Sequence, residues 1–192
     1  MECSASTKAS ARQGETTMAM IEGLLQELEQ EAQTTRRVLE RVPQAHLGWK
    51  PHQKSMSLGQ LALHVATVPG GVAQMIAQPS MQRPAFVQPA ATQVSELLPA
   101  LENSLRQARA ALGGMDDAAI SATWRVLDGD REIMAMPRIA ALRAIMLNHW
   151  YHHRGQLSVY LRQLNVPVPS IYGPSADENP FETPQTAAAA AR

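Results

Sequence analysis

Apolar positions recur at helical spacing in four separate stretches of the chain. In the first, Ile21, Leu24, Leu25, Leu28, Thr35, Val38, Leu39 and Val42 share one face, which predicts a helix from about residue 17 to residue 42. Glu22, Glu27, Glu29, Arg36, Arg37 and Glu40 fall mostly off that face as a solvated surface, and Pro43 ends the helix because its ring clashes with the preceding turn. The second stretch opens at Ser57, which has capping-box spacing to Gln60, and continues through Leu58, Leu61, Val65 and Val68. Pro69-Gly70-Gly71 then predicts a kink rather than a stop, since apolar positions resume at Val72, Met75 and Ile76. A third helix, from Thr92 or Ser95 to Leu112, buries Val94, Leu97, Leu98, Leu101, Leu105, Ala108 and Leu112, and Gly113 and Gly114 close it. The fourth, Leu142–Leu164, carries Leu142, Ile145, Met146, His149, His153, Gln156, Leu157, Tyr160, Leu161 and Leu164 on its stripe. It stops near Asn165, with Pro167 and Pro169 beyond.

The intervening segments read differently. Residues 43–56 and the proline-rich 78–90 are loops. Over 115–137 the period changes: Trp124 and Val126, then Asp128–Gly129, then Ile133 and Met134 suggest two short strands around a hairpin turn. No internal repeat is visible. The expected architecture is all-α, a four-helix bundle with long loops and a small β-hairpin before the last helix. A flexible leader over 1–15, the bundle over 16–180 and a disordered tail over 181–192 complete the expected layout.

Composition narrows the class of function. The 192 residues are 45% apolar, enough for one domain with a real core. Lysine plus arginine and aspartate plus glutamate both number 17, so the formal net charge is zero and neither nucleic acid nor an anionic membrane is an expected partner. No apolar run approaches the roughly 20 residues that span a bilayer. The polar start, MECSASTKASARQGETT, has no apolar signal-peptide core, and Cys3 is the sole cysteine, so no internal disulfide can form. These features fit a cytoplasmic protein.

The chemistry that stands out is histidine. His149 and His153 lie four residues apart, about 6 Å of helical rise, inside an apolar stripe. Buried imidazoles need a partner for each ring nitrogen. Two readings follow: each is a hydrogen-bonded core histidine, or the pair converges on one metal ion. Periodicity separates His153 from its neighbour His152. With His149 at zero and 100° per residue, the stripe centres near 45°, His153 falls at about 40° and His152 at about −60°. His64 lies at the edge of the second helix's face, where it can point into a seam between helices or to a polar surface. His46 and His52 are loop histidines read as solvated, and Trp49 as a plug over one end of the core. Arg154 and Gln156 have packing and capping roles or form a catalytic pair; Tyr160 belongs to the core. Asp177 and Glu178 are tail carboxylates, either solvated or bonded to a ligand histidine.

Three segments together resemble the DinB-like family. They are GWKPHQKSMSLGQLALHVA (48–66), HWYHHRGQLSVYLRQLNVPVPSIYGPSADE (149–178) with its H-x-x-x-H-R-G-Q-L run, and TRRVLERVP (35–43). The resemblance covers roughly residues 16–180. It implies an up-down-down-up four-helix bundle, often a homodimer, and a three-histidine divalent-metal site with His64, His149 and His153 as ligands. Relatives include bacillithiol transferases and mycothiol-dependent maleylpyruvate isomerases. Three neutral imidazoles plus an open position is a layout found at catalytic zinc-type sites, and zinc, nickel, iron or manganese all suit imidazole. The expected function is therefore a metal-dependent hydrolase or thiol S-transferase acting on a small molecule, with an external low-molecular-weight thiol as a further cofactor. The alternative is a non-catalytic metal-binding or interaction protein.

Overall fold

A computed structural model describes residues 6–85 and 87–181, with side chains from Ile21 onward. The chain is mostly helical, with one small sheet. In order it forms α1 (Ser6–Leu39), α2 (Leu58–Ala77), β1 (Ser80–Gln82), α3 (Leu97–Gly113), α4 (Asp117–Ser121), β2 (Thr123–Asp128) and β3 (Arg131–Pro137). A closing helix follows in three consecutive segments: α5 (Arg138–Ala141), a π-helical stretch (Leu142–Asn148) and α6 (His149–Gln163). α1 thus begins inside the segment expected to be a flexible leader, while residues 1–5 and 182–192 lie outside the described residues.

α1 leaves the helix at Leu39, ahead of Pro43, through two tight bonds, Arg41 N to Val38 O and Val42 N to Leu39 O. α2 starts as the sequence indicates: the Ser57 hydroxyl accepts from Gln60 N, and Gln60 Oε1 accepts from Ser57 N. It continues unbroken through Pro69. Proline has no N–H, so the Val65 carbonyl loses its helical partner. The Trp150 indole N–H of α6 fills that vacancy at 2.8 Å. One residue later Gly70 N donates to Ser104 Oγ of α3 at 2.8 Å, and that hydroxyl donates to Thr67 O. The helices touch so closely here that a Cβ at Gly70 would lie 2.5 Å from the Ser104 carbonyl oxygen.

The polar pairs between helices come in consistent orders. Arg36–Glu102 and Glu29–Arg109 join α1 to α3 in opposite sequence sense. Ile76–Arg138, Val65–Trp150 and Met56–Tyr160 do the same between the α2 region and the closing helix. Glu27–Arg143, Glu27–Tyr151 and Thr35–Arg154 join α1 to the closing helix in the same sense. Between them the helices bury Leu28, Leu61, Leu101, Leu105, Trp150 and Leu157 in one core.

The expected hairpin is present: β2 pairs antiparallel with β3, Trp124 opposite Met136, around Gly129 at φ 62°. Trp124 and Val126 point into the core and alternate with exposed Thr123 and Arg125. Two elements add to the expected layout, and the first makes the sheet larger than a hairpin. β1 lies in the 78–90 stretch that the pattern reads as loop, and it adds a third, parallel strand, Ser80 opposite Arg125. α4 is N-capped by Asp116, which accepts from Ala119 N. Three and five residues are too short to show either period.

The closing helix differs from a uniform α-helix in its phase. Leu147 and Trp150, which the periodic stripe omits, are fully buried. The π stretch admits extra backbone per turn, so extending an α period backward across it misplaces the face. The buried residues of α6 are Trp150, Arg154, Leu157 and Leu161. Their centre lies near 110° from His149, not 45°.

Candidate metal centre

The site is assembled by the two helices already tied together. Trp150 bonds the carbonyl of Val65, so the residues just before each, His149 and His64, are drawn side by side. Their Nε2 atoms are 3.0 Å apart, close enough that one carries a proton shared with the other. His153, one turn further along α6, completes the group. Its ring centroid lies 4.6 Å from that of His64 and 4.4 Å from that of His149. One ligating nitrogen from each ring falls within 4.8 Å of the other two. His153 Nδ1 is also 2.7 Å from Gln156 Oε1.

All three histidines are half-buried, a consequence of the α6 phase. His153 sits about 70° from the centre of the buried face and His149 about 110°, so both face the seam with α2 rather than the core. His152, about 170° away by the same measure, is exposed, with its ring 5.0 Å from that of His153. Thr67 and Asn148, near neighbours of the site along their helices, are exposed too, leaving the cluster beside solvent.

Burial pushes all three imidazoles below their ordinary pKa. For His64 burial is the largest cause, followed by His153 and His149, and its pKa falls to about 4. His149 is lowered by burial and then by His153 and His152. For His153, burial outweighs the opposing bond to Gln156. The rings are therefore neutral at pH 7, the state that ligates metal. A tetrahedral ion with bonds of about 2.0–2.1 Å sets its nitrogens about 3.3 Å apart. The 3.0 Å between His64 and His149 is within a few tenths of that spacing, and the three nitrogens together form a group that could hold a metal ion.

The other singled-out residues lie elsewhere. Arg154 is buried against α1, with Nη1 donating to Thr35 Oγ1 and Glu31 O, an ion pair to Glu31 at 2.5 Å, and the Tyr151 and Tyr172 rings beside its guanidinium. It packs helices together and does not pair with Gln156, which bonds His153 instead. Asp177 accepts from Arg162 and Val168 N, and Glu178 from Arg37 and Ser170 N, so both pin the tail rather than a histidine. Tyr160 bonds Met56 O and packs edge-on against Trp49 at 5.5 Å. His46 and His52 are exposed. What sequence reasoning misses is Trp150. The signal was available, a proline inside a helix whose freed carbonyl needs a donor.

Known proteins resemble this chain in sequence and in fold. Over 38 residues the chain is 45% identical to an uncharacterized Bacillus subtilis protein, YrdA, a match spanning 20% of this chain and 23% of that one. A crystal structure of a DinB-like protein from Bacillus cereus superposes with a TM-score of 0.59 at 22% identity, covering 79% of this chain and 97% of the other. A second, the DinB-like YjoA of B. subtilis, gives 0.56 at 19% identity, covering 76% and 95%. Among the described residues no helix is long and apolar enough to cross a membrane. The model of the DinB family matches residues 13–185, nearly the whole chain, and the protein belongs to that family.

Proposed function

We propose that His64, His149 and His153 hold one divalent metal ion with an open coordination position, and that the protein is a metal-dependent hydrolase or thiol S-transferase. The observation that carries this reading is the convergence of three neutral imidazole nitrogens within 4.8 Å beside exposed residues. Three protein ligands are one fewer than a closed structural site uses. Once bound, such an ion supplies Lewis acidity, polarising a substrate group or lowering the pKa of a water or thiol. The protein's own part is to present the three donors and to leave the solvent side free for a small molecule. Zinc, nickel, iron and manganese all suit this donor set. The chain's one cysteine, Cys3, is remote in sequence from all three histidines, so a low-molecular-weight thiol would come from outside.

The orders of the interhelical pairs support an up-down-down-up four-helix bundle made by α1, α2, α3 and the closing helix. Family resemblance further suggests a homodimer, which light scattering at micromolar concentration would report at twice 20.9 kDa. The single cysteine fits a cytoplasmic location.

The function is tested by screening metal-loaded protein with thiols paired with electrophiles, and with esters and amides. Turnover of at least one substrate, lost in His153→Ala, is expected. Full metal occupancy with no turnover in any arm would favour a non-catalytic metal-binding or interaction protein.

A further inference from the structure

The three donors are not held alike. His64 and His149 have each other, Nε2 to Nε2 at 3.0 Å. His153 has a partner outside the trio: Gln156 Oε1, 2.7 Å from its Nδ1 and three residues along the same helix. An amide oxygen only accepts, so that contact requires a proton on His153 Nδ1. A neutral imidazole has one ring proton, so Nε2 is left as a bare lone pair. Nε2 is also the nitrogen that His64 and His149 turn toward each other.

We propose that Gln156 is the positioning residue of the metal centre. It locks His153 in the Nδ1–H tautomer and aims Nε2 at the ion, so that all three ligands bind through Nε2. The proposal rests on the metal reading above and adds an order to it. His153 is the preorganised donor, ready before metal arrives. Partners that orient a ligand histidine are worth about 10–100-fold in metal affinity.

Gln156 is half-buried, so its side chain can be changed without opening the core. The test compares the full-length protein with Gln156→Leu, which has no acceptor, and Gln156→Glu, which keeps one and has no amide donor. Zn²⁺ affinity is read by competition with a chromophoric chelator, and ring tautomers by ¹⁵N NMR of the metal-free proteins. Expected are an Nδ1–H His153 in the unaltered protein, about 10–100-fold weaker Zn²⁺ binding in Gln156→Leu, and binding by Gln156→Glu at least as tight as that of the unaltered protein. Equal affinity in Gln156→Leu, or a loss in Gln156→Glu as large as in Gln156→Leu, overturns the proposal alone. An Nε2–H His153 in the metal-free unaltered protein overturns it even if Gln156→Leu does not fold. No Zn²⁺ uptake by the unaltered protein overturns the metal reading, and this one with it.

Discussion

His152 and His153 are adjacent in sequence and end in different surroundings, one exposed and one in the seam between helices. That difference was legible at 100° per residue even though the stripe used to measure it was centred too low. Leu142, Ile145 and Met146 drew the centre toward His149 because they lie within the π stretch, whose wider turns no α-helical count anticipates. The ranking survived because His152 lies far from either centre. His64 was less legible, since an edge position alone does not say which neighbour it meets. Its depressed pKa gives a pH prediction for the metal-free protein. In the unfolded chain His64 titrates near 6.5, but in the fold near 4. Between those values the unfolded state binds more protons, so stability is full above about pH 6.5 and is lost as pH falls toward 4. With chelator present, the melting temperature should drop from pH 7 to pH 5 more steeply in the unaltered protein than in His64→Gln. Parallel curves would show that His64 is not held neutral.

Helix α2 shows how a local defect can serve the fold. Pro69 removes a donor, and the freed carbonyl of Val65 takes the Trp150 N–H that aligns the two histidine-bearing helices. Gly70 next to it lets α3 approach until Ser104 bonds the backbone. The two neighbouring glycines should therefore respond in opposite directions. Gly70→Ala would place a methyl 2.5 Å from the Ser104 carbonyl and should cost about 1–3 kcal/mol. Gly71→Ala meets nothing within 4 Å and should gain up to about 1 kcal/mol of helix propensity. Urea unfolding of both variants checks this, and equal midpoints would contradict the close approach of α2 and α3. The capping box, the Gly129 turn and four amphipathic segments were readable because each is a local pattern. β1 was not, because a three-residue strand is defined only by its partner β2, far along the chain.

For the whole molecule, Arg154 joins parts that no short sequence window contains. It sits 1% exposed between α6, α1 and the tail, with Glu31, Thr35 and Tyr172 as polar partners. Arg154→Met would leave the Glu31 carboxylate, only 15% exposed, with the Tyr172 hydroxyl as donor but without its counter-charge, and should cost about 3–5 kcal/mol in thermal or denaturant unfolding. A loss below about 1 kcal/mol would place the pair among ordinary surface ion pairs. The histidine site likewise joins distant parts of the chain, α2 and α6, and its occupancy can be measured directly. Zn²⁺ is titrated into chelator-stripped protein, in parallel with His64→Ala, His149→Ala, His152→Ala and His153→Ala. The geometry predicts close to one ion per chain, retained in His152→Ala and largely lost in the other three variants. Binding that survives His153→Ala but disappears in His152→Ala would contradict the facing of the closing helix, and no stoichiometric binding in the unaltered protein would contradict the metal centre itself.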